Sequence, residues 1–229
     1  MEEWWKNKLF QPKNIEGKPV KEELQYVRDL FELASKADPR LKGITIIGST
    51  LKGYAKSVGE KVSDIDVMIV YDDSQGISPK SQQVSATDFI VKFYDAVNNL
   101  NDIRKERKLP TFKIVAITRC NINNLTPRQI RELPSLSYLG TEGISRYVAG
   151  LVFPGVGDLE TYRKIVRDEI SKYPKDEKEN WLKYLIDYAV KGVDSKKTLE
   201  RGIIKEDEEK DFLEARRKLI NARVRRIFG

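Results

Sequence analysis

An apolar run, Ile44–Ile47, stops at Gly48-Ser49, and after fourteen intervening residues Asp64-x-Asp66 opens a second apolar run, Val67 to Tyr71. This pair of runs constrains the chain most. Each has the length and composition of a strand, and each is interrupted by residues that strands avoid unless they are needed there. On a strand, residues i and i+2 share a face, so Asp64 and Asp66 project to one side, about 6.5–7 Å apart along the chain. Two carboxylates at that spacing could hold divalent cations. A Gly-Ser turn beyond a neighbouring strand can offer backbone N–H groups to phosphate oxygens, because glycine permits close approach. Together the two halves outline a place for a nucleoside triphosphate with its magnesium.

At these residues the sequence resembles the DNA polymerase β-like nucleotidyltransferase superfamily, whose pattern is an apolar strand, Gly-Ser, a variable loop, then Asp-x-Asp on the next strand. The resemblance covers roughly residues 20 to 155. It implies an α+β fold, a mixed β-sheet with helices packed on it. It also implies transfer of a nucleoside monophosphate from an NTP to an acceptor, with Mg2+ (or Mn2+) held by Asp64 and Asp66 and the triphosphate contacted by Gly48 and Ser49. Of the lysines between the motif halves, Lys52 and Lys56 are the candidates for neutralising triphosphate charge, with Lys61 nearby. The family typically adds a third carboxylate from the strand after a long helix. Here that strand reads TFKIVAIT and has no acid; Lys113 stands near the expected position. Several readings follow. A carboxylate from elsewhere (Asp72, Asp73 or Glu60) completes the site. Alternatively one metal suffices, with Lys113 as a fixed catalytic charge. Alternatively the scaffold is a catalytically inactive binding module acting on RNA or a partner protein. Or Lys113 faces away and snorkels to solvent.

Around the motif, spacings of three and four put Leu24, Val27, Phe31 and Ala34 on one stripe of a helix from Val20 to Ala37, ended by Asp38-Pro39. Strands are expected at Gly43–Ile47 and Asp64–Tyr71, with a short helix within Leu51–Lys61. A polar loop spans Asp72–Gln83, and Ser85 with Asp88 resembles a capping box opening a long helix that carries Phe89, Phe93, Val97 and Leu100. Its basic end, Arg104 to Lys108, suits the helix dipole. A third strand covers Phe112–Thr118, and Thr126-Pro127 starts a further helix. A helix near Ser135–Tyr147 leads to an edge strand within Gly150–Gly155. Gly155-Val-Gly157 marks a boundary between a nucleotidyltransferase-like domain, 1–157, and an all-helical C-terminal domain, 158–229, with helices at Leu159–Lys172, Glu177–Lys191 and Glu206–Phe228.

Composition narrows the chemistry. The 229-residue chain has no histidine and one cysteine, Cys120. That excludes a histidine base, a serine–histidine triad and an intrachain disulfide, and it fits a reducing, cytoplasmic setting. Cys120 reads as a small buried filler. No run approaches the ~20 apolar residues of a membrane span, and MEEWWKNKLFQPK lacks the apolar stretch of a signal peptide; Trp4, Trp5 and Phe10 are expected to pack on the domain. Net charge is +7. Arg216, Arg217, Lys218, Arg223, Arg225 and Arg226 crowd the last helix, yet residues 205–229 net only +2. An RNA or protein acceptor is permitted, and the sequence does not choose between these and a small hydroxyl compound.

Overall fold

The computed structural model describes residues 21–47, 64–73, 79–133, 150–153, 155–191, 207 and 209–229. The expected helices within Leu51–Lys61 and at Ser135–Tyr147, and the packing of Trp4, Trp5 and Phe10, lie outside the described residues. The fold is mixed α+β and mostly helical. In chain order it runs α1 (Lys21–Ala37), β1 (Leu41–Ile47), β2 (Asp64–Tyr71), α2 (Pro79–Glu106), β3 (Lys113–Asn121) and a 3-10 turn (Ile122–Asn124). Then come α3 (Pro127–Glu132), β4 (Gly155–Gly157), α4 (Glu160–Ile170), α5 (Lys175–Lys191) and α6 (Glu209–Phe228).

The described strands form a sheet in the order β3-β2-β1-β4. β1 is antiparallel to β2 and β4, whereas β2 and β3 run parallel. A parallel pair needs a crossover, and the 28-residue α2 supplies it. β2 is central, with both faces covered. Ile65, Val67, Ile69 and Tyr71 belong to one apolar cluster with Tyr26, Val27 and Leu30 of α1 and Phe89, Phe93 and Val97 of α2. Met68 and Val70 face the other way, into a cluster with Tyr162, Trp181, Leu182, Leu185, Val224 and Phe228 of the C-terminal helices. That double burial is why β2 reads as a continuous apolar run rather than an alternating one. The helices beyond residue 157 thus form a third layer on the sheet. Trp181 ties α5 into it by donating from Nε1 to the Ile130 carbonyl at 2.8 Å.

Several boundaries differ from expectation. On α1 the stripe is centred on Tyr26 and Leu30, both fully buried, with Leu24 and Phe31 flanking them partly buried. α2 begins at Pro79, so Ser85 and Asp88 lie inside it and form no cap. Proline suits a first helical position because that N–H has no intrahelical partner. Asp88 instead pairs with Arg40 at 3.1 Å and Lys92 at 2.9 Å. β3 runs to Asn121, three residues past the expected end. The Thr126 capping box is formed, with Gln129 donating to Oγ1 at 3.2 Å and its Oε1 accepting from the Thr126 N–H at 3.0 Å.

The edge strand is also displaced. Residues 150–152 are helical, and the strand is Gly155–Gly157, the segment read as a boundary. Its glycines explain the placement. A Cβ on Gly155 would lie 2.2 Å from the Ile44 carbonyl oxygen. Gly157 has φ +82, and its Cβ would meet the Lys42 carbonyl at 2.3 Å. Only glycine lets β4 lie this close to β1.

Candidate functional site

The strand that precedes Gly48-Ser49 in the sequence pairs with the strand that carries Asp64 and Asp66. β1 ends at Ile47, the residue before Gly48-Ser49, and Ile47 pairs across the antiparallel ladder with Asp66. Asp66 alternates with Ile65 and Val67, whose side chains enter the cluster under α1 and α2. It therefore shares the opposite face with Met68. Asp64 holds the same parity at the first position of β2. Asp66 is half-buried and already engaged in an interaction within the chain. Gly48, Ser49, Lys52, Lys56, Lys61, Glu60 and the side chain of Asp64 lie outside the described residues.

Lys113 opens β3 and pairs in register with Asp64, the residue that opens β2. In a parallel ladder, paired residues have the same facing, and the neighbouring pair, Ile65 with Ile114, confirms it, because both enter the α1–α2 cluster. Lys113 is exposed. One step further the ladder slips. Ile65 pairs with Ile114 but Val67 with Ile117, so β3 carries an extra residue opposite Asp66. Bulges of this kind re-aim side chains and are frequent beside active sites.

Two of the acids considered as completing this face stand elsewhere. Asp72 and Asp73 follow the far end of β2, about 20 Å of extended chain beyond Asp66. There Asp72 accepts from Asn123 Nδ2 at 2.7 Å and Asp73 pairs with Arg40 at 3.5 Å. They belong to a polar network that closes that end of the sheet. In it Arg40 also grips Asp38 through Nε and Nη2 and lies 5.5 Å over the Phe89 ring. Among the described residues no group of three histidine, cysteine, aspartate or glutamate side chains is placed to hold a metal ion.

Other candidates are settled by burial and pairing. Cys120 is buried, and burial pushes its thiol up to about 12 against the opposing pull of a hydrogen bond with Tyr162. It is the filler the sequence suggested and no thiolate nucleophile. Several cations of the last helix are engaged in pairs within the chain, mostly at its surface. Arg217 pairs with Asp187 at 2.6 Å, Lys218 with Glu214 at 2.9 Å, and Arg225 with Glu179 at 2.8 Å. Arg223 donates to the Val152 carbonyl at 2.5 Å. Arg163 joins it there, donating to the carbonyls of Gly150 and Phe153 at 3.2 and 2.9 Å. These two arginines satisfy the end of the helical segment that packs beside Met68, and no sequence signal announced them. Among the described residues no helix is long and apolar enough to cross a membrane.

No protein-family model, curated protein or solved structure matches the chain.

Proposed function

We propose that the chain is a metal-dependent nucleotidyltransferase that moves a nucleoside monophosphate from an NTP to an acceptor. The observation that carries this reading is the pairing of Ile47, the last residue of β1 before Gly48-Ser49 in the sequence, with Asp66 of the Asp-x-Asp motif on β2. Two hard carboxylate donors on one strand face suit Mg2+ or Mn2+, which take one or two protein carboxylates and complete their shells with water and substrate phosphates. Bound there, the cation would neutralise the charge that develops on the triphosphate. The protein contributes positioning. Asp64 and Asp66 present oxygen donors from a strand locked between two apolar clusters, and the backbone of Gly48 and Ser49 offers N–H donors to phosphate oxygens. Lys113, in register with Asp64, puts one further positive charge at the start of β3 beside it. Phosphoryl chemistry asks for little beyond such placement and charge compensation.

A second reading, a catalytically inactive nucleotide-binding module, is favoured by one observation. The residue paired with Asp64 on β3 is a lysine where a third acid would be needed for a full metal cage. Transfer assays with each of the four NTPs labelled at the α-phosphate, run separately with RNA, with protein and with small hydroxyl acceptors, decide between the two. Incorporation of label that depends on Mg2+ or Mn2+ is the expected result. Nucleotide-dependent stabilisation without any incorporation would establish the binding module instead.

A further inference from the structure

We infer that the groove between α2 and the start of β3 binds a single strand of nucleic acid. This rests on the nucleotidyltransferase reading only in making that strand the acceptor; the binding itself is independent of transfer. The groove has a volume of about 540 Å3 and is lined by Tyr94, Asn98, Asn101, Asp102, Lys105 and Lys113 among others. It opens at the end of the sheet where Asp64 and Lys113 pair.

Three features of the groove point to this occupant. The first is unneutralised charge. Lys113 lines the groove, and Arg107 and Lys108, at the end of α2 outside its lining, are exposed; among the described residues no ion pair engages these three, whereas Lys105 in the groove is paired with Asp102 at 3.1 Å. On the last helix, by contrast, Arg217 and Arg225 are paired with Asp187 and Glu179. Helix-dipole complementarity accounts for cations at the end of α2 but not for Lys113, which opens a strand. The second is an aromatic platform. Tyr94 is 41% exposed on the outer ridge of α2, and Val91, one turn before it, is 54% exposed. Of the two, Tyr94 lines the groove, with its ring available for a base to stack on. The third is the exposed amide of Asn98, one turn beyond Tyr94, able to donate and accept at a base edge. Asn101, by contrast, is held by the Phe112 backbone, donating to its carbonyl at 2.9 Å and accepting from its N–H at 3.2 Å.

A ring to stack on, an amide beside it and cations at one end match an unstacked base followed by its phosphates. A duplex hides its base faces and would leave Tyr94 idle. A bare polyphosphate would use the cations and ignore the ring.

The test is fluorescence anisotropy of labelled single-stranded RNA and DNA of about 12 nucleotides, within the usual site size. It uses the full chain without metal or NTP, across a salt series. Replacing Arg107, Lys108 and Lys113 together by glutamine should lower the slope of log affinity against log salt by roughly 2, three contacts at about 0.7 each. Tyr94→Ala should weaken binding roughly tenfold, while Tyr94→Phe should retain wild-type affinity. Arg217→Gln with Arg225→Gln should leave the slope unchanged. Circular dichroism spectra matching wild type establish that each variant is folded, and lysine in place of Arg107 should keep the wild-type slope. Absence of strand binding by the wild type overturns the proposal. So does a silent triple variant, a silent Tyr94→Ala, or equal affinity for duplex and inorganic polyphosphate. Because no nucleotide or metal is present, strand binding without transfer activity would refute the proposed function and leave this inference standing.

Discussion

Arg104 carries its guanidinium at 2% exposure beneath the junction of α1, α2 and β3. It pairs with Glu22 at 3.0 Å and Asp29 at 3.1 Å, donates from Nε to the Pro110 carbonyl at 2.7 Å, and lies within 6 Å of the Tyr26 and Phe112 rings. Its two acids are themselves partly exposed, so the arginine is the desolvated partner. Removing one acid leaves a buried charge still served by the other acid and by a carbonyl. Removing the arginine strands only groups that water can reach, but it loses the packing of three elements. Arg104→Met is therefore expected to cost about 2 kcal/mol, below the 3–5 kcal/mol of a fully buried pair. Glu22→Gln, at 56% side-chain exposure, should cost about 0.5 kcal/mol. Urea denaturation of both variants checks the ranking; a Glu22 effect equal to that of Arg104 would refute it. At the proposed site the sign reverses. Asp64 and Asp66 repel each other without a cation, so Asp64→Asn with Asp66→Asn should hold or raise the melting temperature of the metal-free protein. The same change should abolish the shift produced by Mg2+ and ATP, read by differential scanning fluorimetry. A retained shift would move the ligand site off β2.

At the scale of elements, the ends of helices show what could be read in advance. α2 stops in a backbone turn that the sequence does not advertise. Lys108 takes φ +56, its N–H bonding to the Lys105 carbonyl at 3.0 Å, while the Leu109 N–H reaches back to Arg104 at 2.8 Å. Glycine normally fills that position, and a side chain there carries left-handed strain. Lys108→Gly should accordingly stabilise the protein by about 0.5–1 kcal/mol, seen as a higher urea midpoint with an unchanged slope. At the start of α4 it is a side chain that acts, Asp158 accepting from the Thr161 N–H at 3.0 Å and from its hydroxyl at 2.5 Å. Asp158→Ala should cost about 1 kcal/mol. Thr126-Pro127 was legible because a cap, a proline and a glutamine three residues on are local signals. The strands of the motif were legible because apolar runs bounded by Gly-Ser and Asp-x-Asp have few other uses. The start of α2 was not, since Ser85 and Asp88 mimic a cap while Asp88 is held by Arg40 from across the fold. The edge strand was expected within Gly150–Gly155 rather than at Gly155–Gly157 because its glycines answer to the backbone of β1, a contact invisible along the chain. Arg104, Arg163 and Arg223 were equally hidden, as nothing local distinguishes an arginine that turns inward from one that faces water.

At the scale of the whole molecule, the sheet sits between two apolar clusters, and the ionisable groups are distributed so that both ends of the pH range strain it while the middle does not. The chain has no histidine, so no side chain with an ordinary pKa titrates between about pH 5.5 and 8. Stability should be flat there. On the acid side, hydrogen bonds from Thr161 hold Asp158 below the usual carboxylate range. Burial acts to raise Asp38, but the hydrogen bonds and charge of Arg40, with Lys92, outweigh it and bring it down. A depressed carboxylate contributes stability that is complete above its unfolded value, near 4, and is lost as pH falls through its folded value. The acid limb should therefore begin just below pH 4.5. On the alkaline side, burial raises Cys120 and Tyr26 each to about 12, from ordinary values of 9.0 and 10.0. For these groups the folded state keeps a proton that the unfolded chain releases, so stability falls as pH climbs. The decline should start near pH 9 with Cys120, steepen near pH 10 as Tyr26 joins, and approach about 1.4 kcal/mol per pH unit for each proton. Urea midpoints of wild type, Cys120→Ala and Tyr26→Phe between pH 4 and 11 check this. Cys120→Ala should be less stable at pH 7, having lost a packed sulfur in the cluster around Met68 and Val70. It should nevertheless lose less stability than wild type between pH 9 and 11, so the two curves converge. Tyr26→Phe should follow wild type to pH 10 and diverge only beyond it. Parallel curves for Cys120→Ala and wild type across that range would show that the thiol ionises as easily in the folded protein as outside it, and would contradict its burial between β3 and α4.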